Sequence, residues 1–265
     1  MIEQGTPEWF EERRRRITST DIAAILGVSK WATPLQKYNE KVNQIERKQT
    51  RAMQYGLGME SEARAAFEAY RYKVLEHSYM EFKPKFAQIG NWSAASLDGY
   101  AFNPMTEKGE AVEIKCPGEG DHATALRGIV PSEYTHQLQW HMFCTGLTWI
   151  WYFSYRPQDV ESIACFKVDR DDAYLYSTIP TVLEFWKKMM LKIPPEPSEK
   201  DVVVRDDREW LMLEEELLNL IVLISDAEKR RDDIRERLIG LCSGKSTRGF
   251  RLKISPVPTK GSIDY

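Results

Sequence analysis

The spacing of apolar residues divides the chain into a long part that mixes helices and strands and a C-terminal part dominated by one helix. Apolar residues three and four positions apart indicate amphipathic helices, whereas short apolar runs between turn residues indicate strands. We therefore predict helices at residues 7–16, 22–26, 34–42, 50–72, 131–144 and 171–191, with a loop and a short helix at 118–128. Strands are predicted at residues 74–80, 85–90, 149–155 and 163–168, together with a hairpin around Asp98 and Glu113. This arrangement predicts an α/β (α+β) fold with a central mixed sheet flanked by helices.

A proline-rich segment separates the two parts. Residues 193–200 contain three prolines, which favour an extended linker over a helix or a strand. We predict a first domain at residues 1–192, a linker at 193–205 and a C-terminal extension at 206–265.

The C-terminal extension carries a heptad pattern of apolar residues over more than four repeats. The seam consists of Trp210, Leu213, Leu217, Leu220, Ile224, Ala227, Ile234, Leu238 and Leu241, with Arg231 as its one interruption. It predicts a long helix that packs either on the first domain or on a helix of another chain. Residues 243–265 contain five basic residues and one acid, Asp264, with a strand-like stretch at 250–257. They form either a tail that contacts DNA or a terminal hairpin.

Composition indicates a globular protein, since 42% of the residues are hydrophobic and eight are tryptophan. The net charge of −3 and the pI of about 5.9 do not suggest a nucleic-acid binder, although local clusters of basic residues suffice for phosphate binding. The four cysteines lack the spacing of a zinc site. Without an apolar leader or a membrane-length apolar run, we expect a soluble protein of the cytoplasm.

The candidate chemistry lies in the predicted hairpin. Strand alternation places Glu113 and Lys115 on one face, and the turn brings Asp98 beside them. Two close carboxylates require a cation between them, and Mg²⁺ or Mn²⁺ is the usual one with oxygen ligands. The lysine would then orient or deprotonate a water molecule, or stabilise phosphate charge. A solvated E-x-K face is the alternative, but the apolar neighbours of Glu113 favour a buried site.

Three further groups are candidates. Glu60 lies on or close to the apolar stripe of the long helix and is a candidate third acid, for a second metal or a metal-bound water. A glutamine near residue 137 could hydrogen-bond the scissile phosphate or the attacking water. Arg13 ends the first helix, where guanidinium groups either cap it or bind phosphate, and Ser19 and Thr20 begin the next helix, where they either cap it or bind an anion.

Four motifs in order resemble the lambda-exonuclease or YqaJ-type viral recombinase branch of the PD-(D/E)XK nuclease superfamily. They are R-R-R-R-I-T-S-T-D at residues 13–21, G-L-G-M-E-S-E-A-R at 56–64, S-L-D-G with E-I-K-C-P at 96–99 and 113–117, and Q-L-Q at 137–139. They span most of the first 190 residues, and Leu97 departs from the proline of the superfamily name.

The resemblance implies a PD-(D/E)XK restriction-endonuclease-like core followed by a long helix and a short β tail. It implies that the Mg²⁺ (or Mn²⁺) ligands, one or two ions per site, are Asp98, Glu113, the Ile114 carbonyl and Glu60. It adds Lys115 and Gln139 as catalytic residues. The residues expected to bind DNA or its 5′-phosphate are Arg13, Ser19, Thr20, Ser96 and Gln137.

The expected function is a Mg²⁺-dependent exonuclease that resects linear double-stranded DNA from 5′ to 3′. Hydrolysis follows from the residues, whereas polarity and the preference for 5′-phosphorylated ends follow from the resemblance. The resemblance also implies a toroidal trimer around DNA ends, a single-strand annealing protein as partner, and a phage or prophage gene expressed in a bacterial host. The alternatives are a structure-specific or restriction-type endonuclease on the same core and a DNA-binding recombination scaffold that has lost catalysis.

Overall fold

The computed structural model describes residues 2, 4–45, 50–104 and 106–255. It divides into two compact units at residues 1–202 and 203–265. The helices of the first unit are α1 (Pro7–Arg15), α2 (Ile22–Ile25), α3 (Pro34–Val42), α4 (Arg51–Lys73), α5 (Glu119–Leu126), α6 (Ser132–Thr145) and α7 (Asp172–Met190). Its strands are β1 (Ile17–Thr18), β2 (Lys83–Ile89), β3 (Ser93–Asn103), β4 (Lys108–Lys115), β5 (Trp149–Tyr155) and β6 (Ile163–Asp169).

The six strands form one mixed sheet. Its order is β1-β3-β4-β5-β6, and β2 also pairs with β3, in antiparallel orientation. The β3–β4 and β5–β6 pairs are antiparallel, whereas β4 and β5 are parallel and are joined through α5 and α6. The pairing of β3 with β4 sets Gly99 opposite Val112 and thereby fixes the register of the predicted hairpin.

Helices cover both faces of the sheet. On one face Ala63 and Phe67 of α4 pack against the apolar side chains of β4 and β5, including Phe153. On the other face Leu138 and Met142 of α6 pack against β3 and β5. The mixed sheet between helical layers confirms the predicted fold class.

A buried ion pair ties the first helices together. The Asp21 carboxylate lies 2.8 Å from the ammonium group of Lys41, which also donates hydrogen bonds to the main-chain carbonyls of Arg13 and Arg16. Asp21 in turn accepts from the backbone N–H and the hydroxyl of Thr18, both at 2.7 Å. This network joins the end of α1 to the start of α2 and to α3, and so fixes the position of Arg13.

The predicted strand at residues 74–80 is wrong. Helix α4 continues to Lys73, and the following residues cross to β2 without joining the sheet. The buried Arg71 guanidinium donates to the carbonyl of Ser78 and forms an ion pair with Glu110, 3.0 Å away. The Arg71 side chain thus satisfies the backbone carbonyl of Ser78 without strand pairing, while Met80 is buried in the core.

The second unit consists of α8 (Arg208–Leu241) and a two-stranded hairpin formed by β7 (Thr247–Arg248) and β8 (Lys253–Ile254). Both the long helix and the short β tail were predicted, and the last residues of the strand-like stretch at 250–257 lie outside the described residues. The prediction of a linker at 193–205 stays a prediction, and the boundary between the two units lies inside that range. Among the helices that the structure describes, none combines the length and the apolar character of a membrane span.

Candidate active site

The β3–β4 hairpin brings the two candidate carboxylates together. Asp98 Oδ2 accepts a 2.8 Å hydrogen bond from the backbone N–H of Ile114, the residue after Glu113. Gly99 makes this close approach possible, because a Cβ atom there would lie 2.8 Å from Val112 and 3.0 Å from Phe82. The strand pairing itself therefore holds Asp98 beside Glu113.

Glu113 lies fully buried between two nitrogen groups. Its Oε1 accepts from the ammonium group of Lys115, and its Oε2 lies 2.8 Å from His141 Nε2. Burial by itself would raise the pKa of Glu113, but the charges of Lys115 and His141 lower it to about 2. Glu113 is therefore a carboxylate at neutral pH.

Asp98 has the opposite shift. Burial, and next the negative charge of Glu113, raise the pKa of Asp98 well above its ordinary value, although Lys115 and the Ile114 N–H act against this. The two acids differ because Glu113 contacts the Lys115 ammonium group and the His141 ring, whereas Asp98 accepts from a neutral backbone amide. The protein thus holds two acids that repel each other, and the nearby positive charge does not fully compensate their negative charge.

Lys115 is oriented by three neighbours. Besides Glu113, it donates a 3.2 Å hydrogen bond to Gln137 Oε1 and lies 5.1 Å from the centre of the Tyr134 ring. Burial would lower the pKa of Lys115, but the charges of Glu113 and Asp98 raise it above its ordinary value. Lys115 is therefore an ammonium group that donates hydrogen bonds in this site.

Glu60 reaches the site through an arginine. Its Oε1 lies 2.5 Å from Arg64 Nη2, and Arg64 Nε donates a 2.8 Å hydrogen bond to the main-chain carbonyl of Asp98. Glu60 and Arg64 face the sheet together, as the helical spacing predicts, but Met53 and Leu57 of the same stripe are exposed. The structure does not group Glu60 with the two carboxylates as a third ligand.

The structure does not bring Gln139 to this site. Gln139 is buried, donates to the Asp169 carbonyl at 3.0 Å and accepts from the Asp171 N–H at 2.7 Å, so it holds the turn between β6 and α7. Two residues along a helix differ by about 200° in direction. Gln137 is the glutamine that faces Lys115, and the motif-based choice of Gln139 as a catalytic residue is corrected accordingly.

The donor groups fit a hard divalent cation. Asp98, Glu113 and the main-chain carbonyl of Ile114 supply oxygen, which Mg²⁺ and Mn²⁺ prefer. A cation between the acids would also relieve the repulsion that raises the pKa of Asp98. Within the described residues, no three side chains of His, Cys, Asp or Glu form a metal-binding group, so the remaining ligands would be the carbonyl and water.

A second polar cluster is formed around Ser96, which lies two residues before Asp98 on β3. Ser96 Oγ accepts hydrogen bonds from Arg13 Nη1 at 3.0 Å and from Trp9 Nε1 at 3.1 Å. Arg13 Nη2 donates to Thr20 Oγ1 at 3.2 Å, and the guanidinium group stacks 4.5 Å from the Trp9 ring. The cluster presents a fixed guanidinium and two hydroxyls, which suits an anion such as phosphate.

Ser19 does not belong to this cluster. It is 2% exposed, and its hydroxyl has no hydrogen-bond partner among the described residues, whereas its neighbour Thr20 is exposed beside Arg13. The short turn that starts α2 points successive side chains in different directions, so only one of the two candidates reaches Arg13.

Sequence reasoning missed four residues at these clusters: Trp9, Arg64, Tyr134 and His141. The sequence places Arg64 and His141 on helical faces without assigning them a role, since helical spacing does not say which side chains meet a strand. Trp9 follows the rule that an indole N–H finds a partner when partly buried, but the sequence does not name that partner.

Comparisons with known proteins agree with this architecture. The model of the YqaJ-like viral recombinase domain matches residues 8–148. The chain is similar to an alkaline exonuclease (LHK-Exo) from Laribacter hongkongensis, with 26% identity and a TM-score of 0.57 over 71% of this chain and 94% of that one. The structure of LHK-Exo in complex with dAMP gives 25% identity and a TM-score of 0.58 over the same shares. Curated protein sequences give no match.

The family match covers more than half of the chain and includes every residue of both clusters. It confirms the resemblance drawn from the four motifs. The chain belongs to the YqaJ-like viral recombinase family, within the lambda-exonuclease branch of the PD-(D/E)XK nucleases.

Proposed function

We propose that the protein is a Mg²⁺-dependent exonuclease that resects linear double-stranded DNA from 5′ to 3′ during recombination. The observation that carries the proposal is the position of the two clusters on one strand. Ser96, with Arg13 and Thr20, lies two residues from Asp98 on the same side of β3. Residues two apart along a strand are separated by about 7 Å, a distance on the scale of one nucleotide.

The chain's own residues divide the task. Arg13, Ser96 and Thr20 would bind the terminal phosphate and so place the next phosphodiester beside Asp98 and Glu113. Lys115 would donate to a phosphate oxygen or orient the attacking water, with Gln137 fixing its direction. The divalent ion would be held by Asp98, Glu113 and the Ile114 carbonyl, with Glu60 as the candidate for a second ion, and when bound it would activate water and stabilise charge on the leaving oxygen.

The 5′-to-3′ polarity rests on the anion cluster. An enzyme that holds the 5′-terminal phosphate and cuts one nucleotide away releases mononucleotides and leaves a 3′ single strand. The LHK-Exo structure that resembles this chain contains dAMP, a mononucleotide, which supports such a product here. A hydrolysis that started from the 3′ end would leave Arg13 and Ser96 without a role.

The recombination setting comes from the family. We propose that the resected 3′ strands are passed to a single-strand annealing protein, in the cytoplasm of a bacterial host and from a phage or prophage gene. We also propose a homo-oligomer, in which a trimeric ring around the duplex would give processive digestion. The name of the matching domain, viral recombinase, supports this setting.

The first experiment is a time course with Mg²⁺ on three duplexes: linear with 5′-phosphates, linear with 5′-hydroxyls, and covalently closed circular DNA. Each linear duplex carries a label at one 3′ end. Fast digestion of the phosphorylated duplex, with the circle intact and the label kept on long strands, is expected. Cleavage of the circle would establish the endonuclease instead, and binding without cleavage in any divalent metal would establish the scaffold.

The anion cluster has its own test. Arg13→Ala should slow digestion of 5′-phosphorylated ends more than of 5′-hydroxyl ends, because only the former lose a charge-assisted contact. Arg14→Ala is the matched control, since Arg14 is half-exposed and paired with Glu11. Equal losses on both substrates would contradict the role of the cluster in holding the 5′ end.

A further inference from the structure

Helix α8 exposes many large apolar side chains, and an isolated helix in water would leave this surface unburied. It contains 34 residues, about 50 Å of helix, and its seam side chains from Trp210 to Ile224 are not covered by their own unit. Leu213, Leu217 and Leu220 are each about half exposed. Contiguous exposed apolar surface of this kind marks an interaction site.

The charges beside the seam differ between the two halves of α8. In heptad terms the seam occupies positions a and d, and the flanking positions e and g decide which helices pair and in which direction. In the first half the charged flanking residues are acidic: Glu209, Glu214 and Glu216. In the second half they are mainly basic, namely Arg230, Arg235 and Arg237, with Glu228 as the exception.

This distribution disfavours a parallel pair of identical helices. In a parallel pair, position g of one helix faces position e of the next heptad in the other. Glu209 would then face Glu214 of the second copy, and Arg230 would face Arg235. Like charges at such positions repel and destabilise the pair.

An antiparallel pair removes this repulsion. When the two seams overlap fully, position a of one helix meets position d of the other, so that Trp210 lies against Leu241 and Leu213 against Leu238 of the second copy. Leu217 then meets Ile234, and Ile224 meets Ala227. We propose that α8 binds the α8 of a second copy of this chain in antiparallel orientation. Because a two-fold pair would leave one helix of a trimeric ring unpaired, on the proposed trimer these pairs join helices of two rings.

The flanking charges fit the same alignment. Positions that lie between the same two layers of the seam face each other, g opposite g and e opposite e. Glu216 therefore faces Arg237, and Glu214 faces Arg235 of the second copy, and two-fold symmetry doubles each contact. The two flanking charges nearest the centre, Arg230 and Glu228, face apolar residues, so no like charges meet there.

The one charged residue of the seam has a defined place in this pair. Arg231 meets Leu220 of the second copy, close to the middle of the interface. A single polar residue in a core position fixes register at a cost in stability. Arg231 contributes only the cost in stability, because it also faces an apolar residue when the seams shift by one heptad. The flanking Glu–Arg contacts select the full overlap, since a shift by one heptad brings like charges together.

Two single-cysteine variants test the orientation in the full-length protein. Leu213→Cys and Leu238→Cys are prepared separately in a Cys242→Ser background, one of them with a larger tag. Leu213 is 58% exposed, so its substitution leaves the fold intact. Under mild oxidation with copper phenanthroline, the mixture should form a covalent heterodimer, because residue 213 of one copy lies against residue 238 of the other. Neither variant should cross-link when oxidised alone.

Charge reversal tests the pairing without cross-linking. Replacing Glu214 and Glu216 by lysine should lower the molar mass in solution, because Lys–Arg repulsion replaces the Glu–Arg contacts. Adding Arg235→Glu and Arg237→Glu should restore the wild-type mass. The matched control reverses two charges away from the seam, at Glu215 and Asp233, and should keep that mass.

Two results would overturn the proposal. A parallel pair would be shown if each single variant cross-linked with itself and the mixture gave no more heterodimer than random pairing of the two variants predicts. A molar mass that none of the α8 variants changes would mean that the helix is covered by its own chain or by a different partner. Neither result bears on the nuclease proposal, which rests on the first unit.

Discussion

Two acids in one buried site have opposite pKa shifts, and the contrast predicts how the site responds to metal. Glu113 has Lys115 and His141 in contact, whereas Asp98 has a backbone amide and the repulsion of Glu113. At the scale of single residues, the site is therefore less stable without a cation than with one.

Asp98→Asn should abolish cleavage and stabilise the metal-free protein at pH 8. A carboxyl whose pKa is raised by folding stabilises the protein below its unfolded pKa of about 4 and loses that contribution as the pH rises through its folded pKa. The gain from asparagine should thus be largest at pH 8 and vanish near pH 4. Thermal unfolding in EDTA measures it.

Mg²⁺ provides the control for this prediction. It should raise the melting temperature of the wild-type protein and leave that of Asp98→Asn nearly unchanged, since a ligand stabilises only the form that binds it. Equal shifts in both proteins would mean that Asp98 does not hold the ion.

The two glutamines of α6 form a matched pair of substitutions. Gln137→Ala should reduce cleavage by about 10- to 100-fold through loss of orientation at Lys115 and leave stability nearly unchanged. Gln139→Ala should cost about 1–3 kcal/mol of stability, because the Asp171 N–H loses its acceptor, with cleavage per folded molecule retained. Urea unfolding and initial rates separate the two, and the reverse pattern would restore Gln139 to the site.

The residues that sequence alone predicted well are those set by local geometry. Glu113 and Lys115 lie two apart on a strand, so their common face follows from the pleat, and Asp98 follows from a short hairpin. Gln139 and Ser19 lie elsewhere than predicted because their side-chain directions depend on which helical face meets the sheet. No pattern within a helix contains that information.

At the scale of elements, a buried ion pair sets the position of the anion cluster. Lys41 reaches from α3 to Asp21 and to the last carbonyls of α1, and Arg13 lies on that last turn. The sequence predicted the helices but not this contact, because their lengths follow from periodicity and their packing does not. The wrong strand at 74–80 has the same origin, in Arg71 contacts that no pattern shows.

Lys41→Met should lower the free energy of unfolding by about 3–5 kcal/mol, since it leaves Asp21 buried with less compensation. The double variant with Asp21→Asn should recover part of that loss. Chemical denaturation measures both, and a small cost for Lys41→Met would mean that Lys37, 3.5 Å from Asp21, compensates.

The pH dependence of this pair has a defined sign. Despite its burial, the charge of Lys41 lowers the pKa of Asp21 below its ordinary value. Its stabilisation is therefore complete above the unfolded pKa of about 4 and fades as the pH falls further. The stability difference between wild type and Asp21→Asn should shrink below about pH 4, and a difference that grew there would contradict the assignment.

At the scale of the whole molecule, the two units carry separate tasks. A chain ending at Val202 should fold and hydrolyse DNA, because the core and both clusters lie in the first unit. Ending at Pro195 would remove Asp201, which accepts from Thr33 at 2.5 Å, so the later end point is the better one. Circular dichroism and the linear-duplex assay check this, and a folded but inactive fragment would assign part of the activity to the second unit.

The heptad pattern predicted the helix of the second unit but not its neighbour, because an apolar seam fits any apolar surface. Only the charges beside the seam distinguish one orientation from another. The sequence contains that information, but it becomes usable once the limits of the helix are known.

Because Ser96 and Asp98 lie on one strand, the distance between them is set by the strand's own geometry. The strand fixes the spacing between Ser96, which belongs to the cluster that would hold the DNA end, and Asp98, which belongs to the site that would cut it. On the proposed function, substitutions around the site would alter how fast the enzyme advances but not how far it advances each time. An insertion in β3 between Ser96 and Asp98 would change this spacing and with it the length of the product.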